Sequence, residues 1–322
     1  MKPVKVTTIS CLLALLIIPI CVNAQQQIAP PVIEWQKCLG GSRVDRANSV
    51  IRTLDNGYLV IGKSFSNDGN VTGHHGSVDS SDAWVVKLDA NGNIEWQRSL
   101  GGTANDEFNH GLQAANGDFI CVGTTESNNG DVSGLHFSQD LWVCRLSSSG
   151  ALIWSKAYGG NDDDRGRVIR RAVDGGYIVG GDAISEDGDI TNHFGWSDIW
   201  ILKINENGVI QWQKKYGDSN QQFTNDITVT RDGNYAISGY QQHKNFPNCI
   251  GSPVYAYYAS AYLKINANGN IVWEKYSQFP CGNPGSSYFT SSLLEMPGGQ
   301  LFYVGNTINA STENYARWEL AR

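Results

Sequence analysis

Three aspartates, Asp45, Asp106 and Asp164, each stand three spacers after a Gly-Gly pair. Carboxylates that recur at one structural position and converge on a common axis are what a glycosidase needs, one acting as acid and another as base or nucleophile. Their neighbours differ from copy to copy: Arg46, Glu107, Arg165 and Phe223. An asymmetric site needs such variation, and it makes Glu107 a fourth candidate acid, with Arg46 and Arg165 on a binding face. Against catalysis, three acids equivalent by repeat can each simply cap a loop, and none is marked out by a motif of its own.

A second set of polar residues lies in related loops, "NDGNVTGHHGSVDSSD" from Asn67, "NNGDVSGLHFSQD" from Asn128 and "EDGDITNHFGWSD" from Glu186. Asp68 and Asn70, Asn129 and Asp131, and Asp187 and Asp189 flank a glycine in each. Oxygen donors on a glycine turn suit calcium. The competing expectation is an Asx-turn, in which those side chains bond nearby backbone N–H groups, and no loop has the full acidic spacing of an EF-hand. Without calcium, no cofactor is expected. His74, His75, His136 and His193 follow in the same loops. Belonging to three different repeats, they read as surface histidines of the binding face and not as one transition-metal site.

What positions these residues is a repeat. "LDANGNIEWQRSLGG" at Leu88 returns as "LSSSGALIWSKAYGG" at Leu146, "INENGVIQWQKKYGD" at Ile204 and "INANGNIVWEKY" at Ile265, and the second half alone, "VIEWQKCLGG", opens at Val32. Internal repeats of this length mean stacked or radial arrays. Each unit holds four strand-like runs, with Asn-Gly or Asp-Gly hairpin signals after the first and third. The second and third runs, such as "YLVI", "FICV" and "WILKI", are apolar nearly without alternation, which fits strands covered on both faces. Gly62, Gly123, Gly181, Gly239 and Gly305 recur inside the second strand, where a glycine marks a bulge or a close backbone approach.

The expected fold class is therefore all-β: a five-bladed β-propeller with four antiparallel strands per blade. The last blade would be completed by the N-terminal strand, Val32 to Leu39, beside the third-strand run "ARWELAR". The repeated tryptophans should pack between blades, serving the repeat and not a unique site.

Residues 1–24 have the form of a signal peptide: Lys2 and Lys5, an apolar run from Ile9 to Val22, then Val22-Asn23-Ala24. Residues 25–31 make a short leader and 32–322 a single propeller domain. Export to the periplasm or the cell exterior is expected; Ile20 in place of a small residue argues against a lipid anchor on Cys21. No run is long enough for a membrane span. Loss of Lys2 and Lys5 takes the formal charge from −7 to −9, which with no basic cluster excludes nucleic acid as a natural partner.

"DAWVVKLDANGNIEWQRSLGGTANDEFNHGLQAANGDFICVGTTES", Asp82 to Ser127, resembles the bacterial β-propeller repeats usually abbreviated SBBP. The likeness lies in an Asp-aromatic start, a Lys-Leu-Asp strand end, a glycine turn, then Gly-Gly, three spacers and Asp. The later copies depart: Gln222 replaces the aspartate of Asp45, Asp106 and Asp164, and Ala259 and Ala316 replace that of Asp82, Asp140 and Asp198. The resemblance implies an extracytoplasmic propeller with no common catalytic residues.

The expected function is an exported, non-catalytic, monomeric propeller that binds a protein or glycan through its long-loop face. The alternatives are a glycosidase-like enzyme using the axial carboxylates, and a structural or adhesive module of the envelope. Beyond the leader stand Cys38, Cys121, Cys144, Cys249 and Cys281. Cys249 and Cys281 fall in loops on one face of the fourth blade and are expected to form a disulfide in an oxidising compartment. Cys121 and Cys144 fall in apolar runs and should be buried free thiols.

Overall fold

The computed structural model describes residues 32–191, 195–243, 257–276, 287–308 and 317–321. The chain divides into two units, Met1–Gln36 and Lys37–Arg322. Of the first, the described residues 32–36 carry no strand. The second is all-β, with no helix among its described residues.

Its strands run in chain order. Sheet 1 is β1 (Asp45–Arg52), β2 (Tyr58–Ser64), β3 (Asp82–Leu88) and β4 (Ile94–Leu100). Sheet 2 is β5 (Asp106–Gln113), β6 (Phe119–Thr125), β7 (Asp140–Leu146) and β8 (Leu152–Tyr158), and sheet 3 is β9 (Asp164–Arg171), β10 (Tyr177–Ala183), β11 (Asp198–Ile204) and β12 (Ile210–Tyr216). Sheet 4 is β13 (Gln221–Val229), β14 (Tyr235–His243), β15 (Tyr257–Ile265) and β16 (Ile271–Tyr276); the last is β17 (Ser287–Glu295), β18 (Leu301–Ile308) and β19 (Arg317–Ala321). Every neighbour pair is antiparallel and sequential, as a meander of short hairpins dictates.

The expected closing strand is not there: residues 32–40 carry no strand, and the last sheet has three strands among the described residues. The strands of sheets 1 to 4 each share a short hairpin that sets their register, whereas no such turn adjoins Val32 to Leu39 among the described residues. The stretch is held instead at its C-terminal end. Leu39 packs with Trp84 and Val86, and Gly40 and Gly41 donate to the side chains of Asn70 and Asp45.

The hairpins differ from the two-residue form with positive φ at both centres. At the β5–β6 connection Gly117 N–H bonds Ala114 O at 2.9 Å and Ala114 N–H bonds Asp118 O at 2.8 Å. Only Gly117 there has positive φ, at 92°. This is the three-residue connection, a type I turn followed by one left-handed residue. Asn56 at 67° supplies that residue in the first copy, and Gly92, Gly150, Gly208 and Gly269 do so between third and fourth strands.

The five recurring strand glycines have a steric cause. Each first strand carries a bulge, with Asn48, Asn109, Arg167, Asn225 and Ser291 as the extra residue, and the glycine of the second strand pairs with the residue just before it. A Cβ on Gly62 or Gly123 would lie 1.8 Å from the carbonyl oxygen of Arg46 or Glu107. On Gly181 or Gly239 it would lie 2.0 Å from that of Arg165 or Phe223. The bulge turns a carbonyl onto the neighbouring strand, and only a residue without a side chain fits beneath it.

First strands of successive sheets lie side by side, β1 against β5, β5 against β9, β9 against β13 and β13 against β17. Two bulge amides stitch this inner row: Asn48 donates to Phe108 O at 2.9 Å and Asn109 to Gly166 O at 2.8 Å. The core sits between sheets. Leu59, Ile61 and Val85 meet Phe108, Phe119 and Trp142; Val122 and Leu141 meet Tyr177 and Trp200; Val168 and Ile201 meet Ile227 and Ile237. Trp96, Trp154 and Trp212 each donate an indole N–H to a carbonyl in the following sheet's last hairpin, Ser148, Glu206 and Ala267, at 3.1, 3.3 and 3.2 Å. The repeated tryptophan thus ties sheet to sheet, as expected.

Candidate functional site

Asp45, Asp106 and Asp164 are the first residues of β1, β5 and β9, and each turns its carboxylate back onto the loop that delivers it. One oxygen accepts from the second glycine of the Gly-Gly pair: Gly41 at 2.8 Å, Gly102 at 2.8 Å, Gly160 at 2.9 Å. The remaining capacity goes to the end of the second strand. Asp45 accepts from the hydroxyls of Ser64 and Ser66, Asp106 from those of Thr125 and Ser127, and Asp164 from the N–H groups of Ile184 and Ser185. Gln222 performs the same clasp without charge, accepting from Asp218 N–H at 3.4 Å and donating to its carboxylate at 2.6 Å. These acids are loop staples.

Burial raises Asp106, and it lifts Asp164 to about 6, with the nearby Asp140 carboxylate adding to the rise. The folded state therefore holds the Asp164 proton more tightly than the unfolded chain, so this group favours folding below the unfolded value near 3.8 and opposes it above about 6. Falling from pH 7 to pH 4 should recover about 2 kcal/mol from this one group. Asp164→Asn should lack that increment, so the difference between the two unfolding free energies should change by about the same amount across this window. A parallel pair of curves over that window would show Asp164 ionised throughout.

A second row of carboxylates opens the third strands. His75 donates N–H and ring Nδ1–H to Asp82 Oδ2 at 2.9 and 2.8 Å, and His136 does the same to Asp140 at the same distances. Each far ring nitrogen faces the next sheet's loop, Nε2 of His75 3.5 Å from Asp131 and that of His136 4.0 Å from Asp189. His75 and His136 are exposed, as expected, while also reaching toward the next sheet, and only the His74 side chain departs, at 3% exposed. His193 lies outside the described residues, as do Cys249 and Cys281. Cys121 and Cys144 pair in register on β6 and β7, both buried and free, and burial pushes the Cys121 thiol up to about 12.

The flanking Asx residues hold the preceding Gly-Gly loop across 26 to 30 residues of chain instead of closing a local turn. Asp68 accepts from Ser42 N–H at 2.7 Å, Asn129 from Thr103 at 2.9 Å and Asp187 from Asn161 at 2.8 Å. Asn70, Asp131 and Asp189 accept from Gly40, Gly101 and Gly159 at 3.2, 3.4 and 3.3 Å. Among the described residues no three His, Cys, Asp or Glu side chains come together as a metal cage.

The variable positions do converge. Arg46 pairs with Lys63, Glu107 with Thr124, Arg165 with Asp182 and Phe223 with Tyr240, all beside the bulges of the innermost two strands. Lys63 Nζ is 2.6 Å from Glu107, and Arg167 Nε donates to Asp182 at 2.8 Å. Burial drives the Asp182 carboxyl upward, and Arg167 only partly offsets it. Phe223 and Tyr240 stack at 4.8 Å, and Arg165 bonds Gln139 at 2.5 Å and lies 3.3 Å from Asp163. Sequence reading misses Lys63, Asp182 and Tyr240, which register pairing with the variable residues would find, and Arg167, the bulge residue of β9, which no such pairing marks.

No family model and no curated protein matches the chain. Among solved structures it is similar to the mannose phosphorylase MPT-4 from Leishmania mexicana, at 11% identity and a TM-score of 0.38 over 83% of this chain and 82% of that one. A thermostable family-43 glycoside hydrolase gives 14% and 0.39 over 84% and 86%. The periplasmic gluconolactonase PpgL from Pseudomonas aeruginosa gives 11% and 0.36 over 85% and 82%. Likenesses this distant carry nothing about the chemistry of this chain. No helix among the described residues is long and apolar enough to cross a membrane.

Proposed function

We propose that the five sheets are the blades of a β-propeller that works outside the cytoplasm as a non-catalytic binding module. Its contact surface is the end of the inner strands where Arg46, Lys63, Glu107, Arg165 and Phe223 differ from blade to blade, and its partner is a protein or glycan. The observation that carries this reading is the engagement of every candidate acid. Asp45, Asp106 and Asp164 staple loops, Glu107 is paired with Lys63 and Asp182 with Arg167. A general acid must be free to give its proton to a leaving group, and a nucleophile must be free to reach carbon. What the inner end offers instead is mixed charge beside an aromatic pair, the composition of an interaction surface.

The test uses the full chain. Aryl glycosides of the common hexoses and pentoses should show no release of phenol above the blank, in the wild type and in Glu107→Gln alike. Capture of envelope proteins or immobilised glycans should fall in an Arg165→Ala, Phe223→Ala double variant that keeps its melting temperature. Turnover that disappears in Glu107→Gln would establish the glycosidase alternative.

A further inference from the structure

One seam between sheets departs from the repeat. The fourth strands end in Ala157-Tyr158 in sheet 2 and Lys215-Tyr216 in sheet 3, and each tyrosine reaches across to the next sheet's hairpin, donating its hydroxyl to Gly208 O at 2.6 Å and to Gly269 O at 2.7 Å. Sheet 1 has Ser99-Leu100 there. In sheet 2 Lys156 and Tyr158 share Gly208 O, but leucine has no hydroxyl and is shorter, so Gly150 O keeps only the bond from the counterpart of Lys156, Arg98 Nε, at 2.9 Å. What remains beside it is a cavity of about 410 Å³ lined by His75, Arg98, Ser99, Leu100, Asp131 and Leu152, among others. That volume falls within the roughly 300–1,000 Å³ of small-molecule sites.

The lining states the chemistry of an occupant. Ser99 is 6% exposed and its buried hydroxyl has no hydrogen-bond partner among the described residues, a cost that a ligand hydroxyl would remove. Charge is balanced: Arg98 already donates to Gly150 O and Gln97 O, and Asp131 faces His75 Nε2 at 3.5 Å and accepts from Gly101 N–H. Neither is an open clamp for an ionised ligand. Leu100 and Leu152 add apolar surface to the same lining. A molecule with one C–H face and several hydroxyls answers all three features.

Resting on the reading of this protein as a binding module, we infer that the seam between sheets 1 and 2 is a binding site for a neutral pyranose sugar, formed because Leu100 stands where the next two sheets have tyrosine. The hydroxyls meet Ser99, Asp131, His75 and Arg98, and the ring's C–H face lies on the leucines. The repeat itself supplies the control, since restoring its tyrosine should fill the cavity without disturbing the fold.

The probes are the methyl glycosides of glucose, galactose and mannose, titrated by saturation-transfer NMR against the full chain. At least one should bind with millimolar affinity, and Leu100→Tyr should weaken it about tenfold or more while its melting temperature stays level or rises. Ser99→Ala, which keeps the volume, should weaken binding about three- to tenfold and guards against a misfolded tyrosine variant. If a sugar binds the wild type and Leu100→Tyr equally, this site is wrong while the binding-module reading stands. If none binds but an envelope protein is still captured, the sugar inference alone is overturned. Saturable binding of glycine with none of a glycoside would mark the cavity as a zwitterion site and overturn it too.

Discussion

Replacing Gly123 by alanine should destabilise the protein by about 3 kcal/mol or more, an effect at the upper end for adding one methyl group. The new Cβ would lie 1.8 Å from Glu107 O and 2.6 Å from Phe108 Cα, both backbone atoms of a strand pinned on its other side by β9. No rotamer relieves a backbone clash, so β5 must move, and with it the Asn48 bond to Phe108 O and the Phe108–Trp142 stack at 4.6 Å. Gly233→Ala is the control. Its Cβ meets nothing within 4 Å, and only its φ of 77° opposes the substitution, for about 1–2 kcal/mol. Urea unfolding of the two variants separates crowding from backbone strain, and a Gly123→Ala midpoint no lower than that of Gly233→Ala would show that the bulge can relax.

That glycine shows how far the sequence could be read. Recurrence of Gly62, Gly123, Gly181, Gly239 and Gly305 gives the need for close backbone approach, and periodicity gives the all-β sheets and their strands. It could not give the cause, because the bulge lies in the first strand, where Asn48, Asn109 and Arg167 are ordinary polar residues in polar surroundings. Turn geometry was half legible for a related reason: Asn-Gly announces a hairpin, but whether one or two residues take positive φ depends on a register shift beside the turn, as between Lys87 and Leu88. The candidate acids are legible in the sequence, and so is a loop-capping role for them. Their donors are backbone N–H groups and hydroxyls 19 to 21 residues away, invisible until Ser64, Thr125 and Ser185 are brought round by a hairpin. The chain's first segment misled because its letters match a fourth strand while nothing local fixes where it pairs.

The repeat also hides a buried charge pair. Asp82 and Asp140 receive a histidine from their own loops. In sheet 3 Asp198 meets Lys215 of the adjacent strand, Nζ to Oδ2 at 3.0 Å, with both side chains wholly buried. Lys215 Nζ also donates to Ser185 O at 3.3 Å. Its counterparts are Ser99 and Ala157, so the ammonium belongs to this sheet alone among the first three. Taking two charges from water costs several kcal/mol each, and their mutual attraction returns that only while both are present. Lys215→Met fills the same space with no charge and takes the buried ammonium away from Asp198, which should cost about 3–5 kcal/mol. Adding Asp198→Asn removes the second charge, and the double variant should recover at least half of the loss, a coupling that independent sites do not show. Chemical denaturation at neutral pH measures both. A Lys215→Met protein within about 0.5 kcal/mol of wild type, or a double variant no better than the single one, would mean that water reaches the seam and that the pair carries little of its stability.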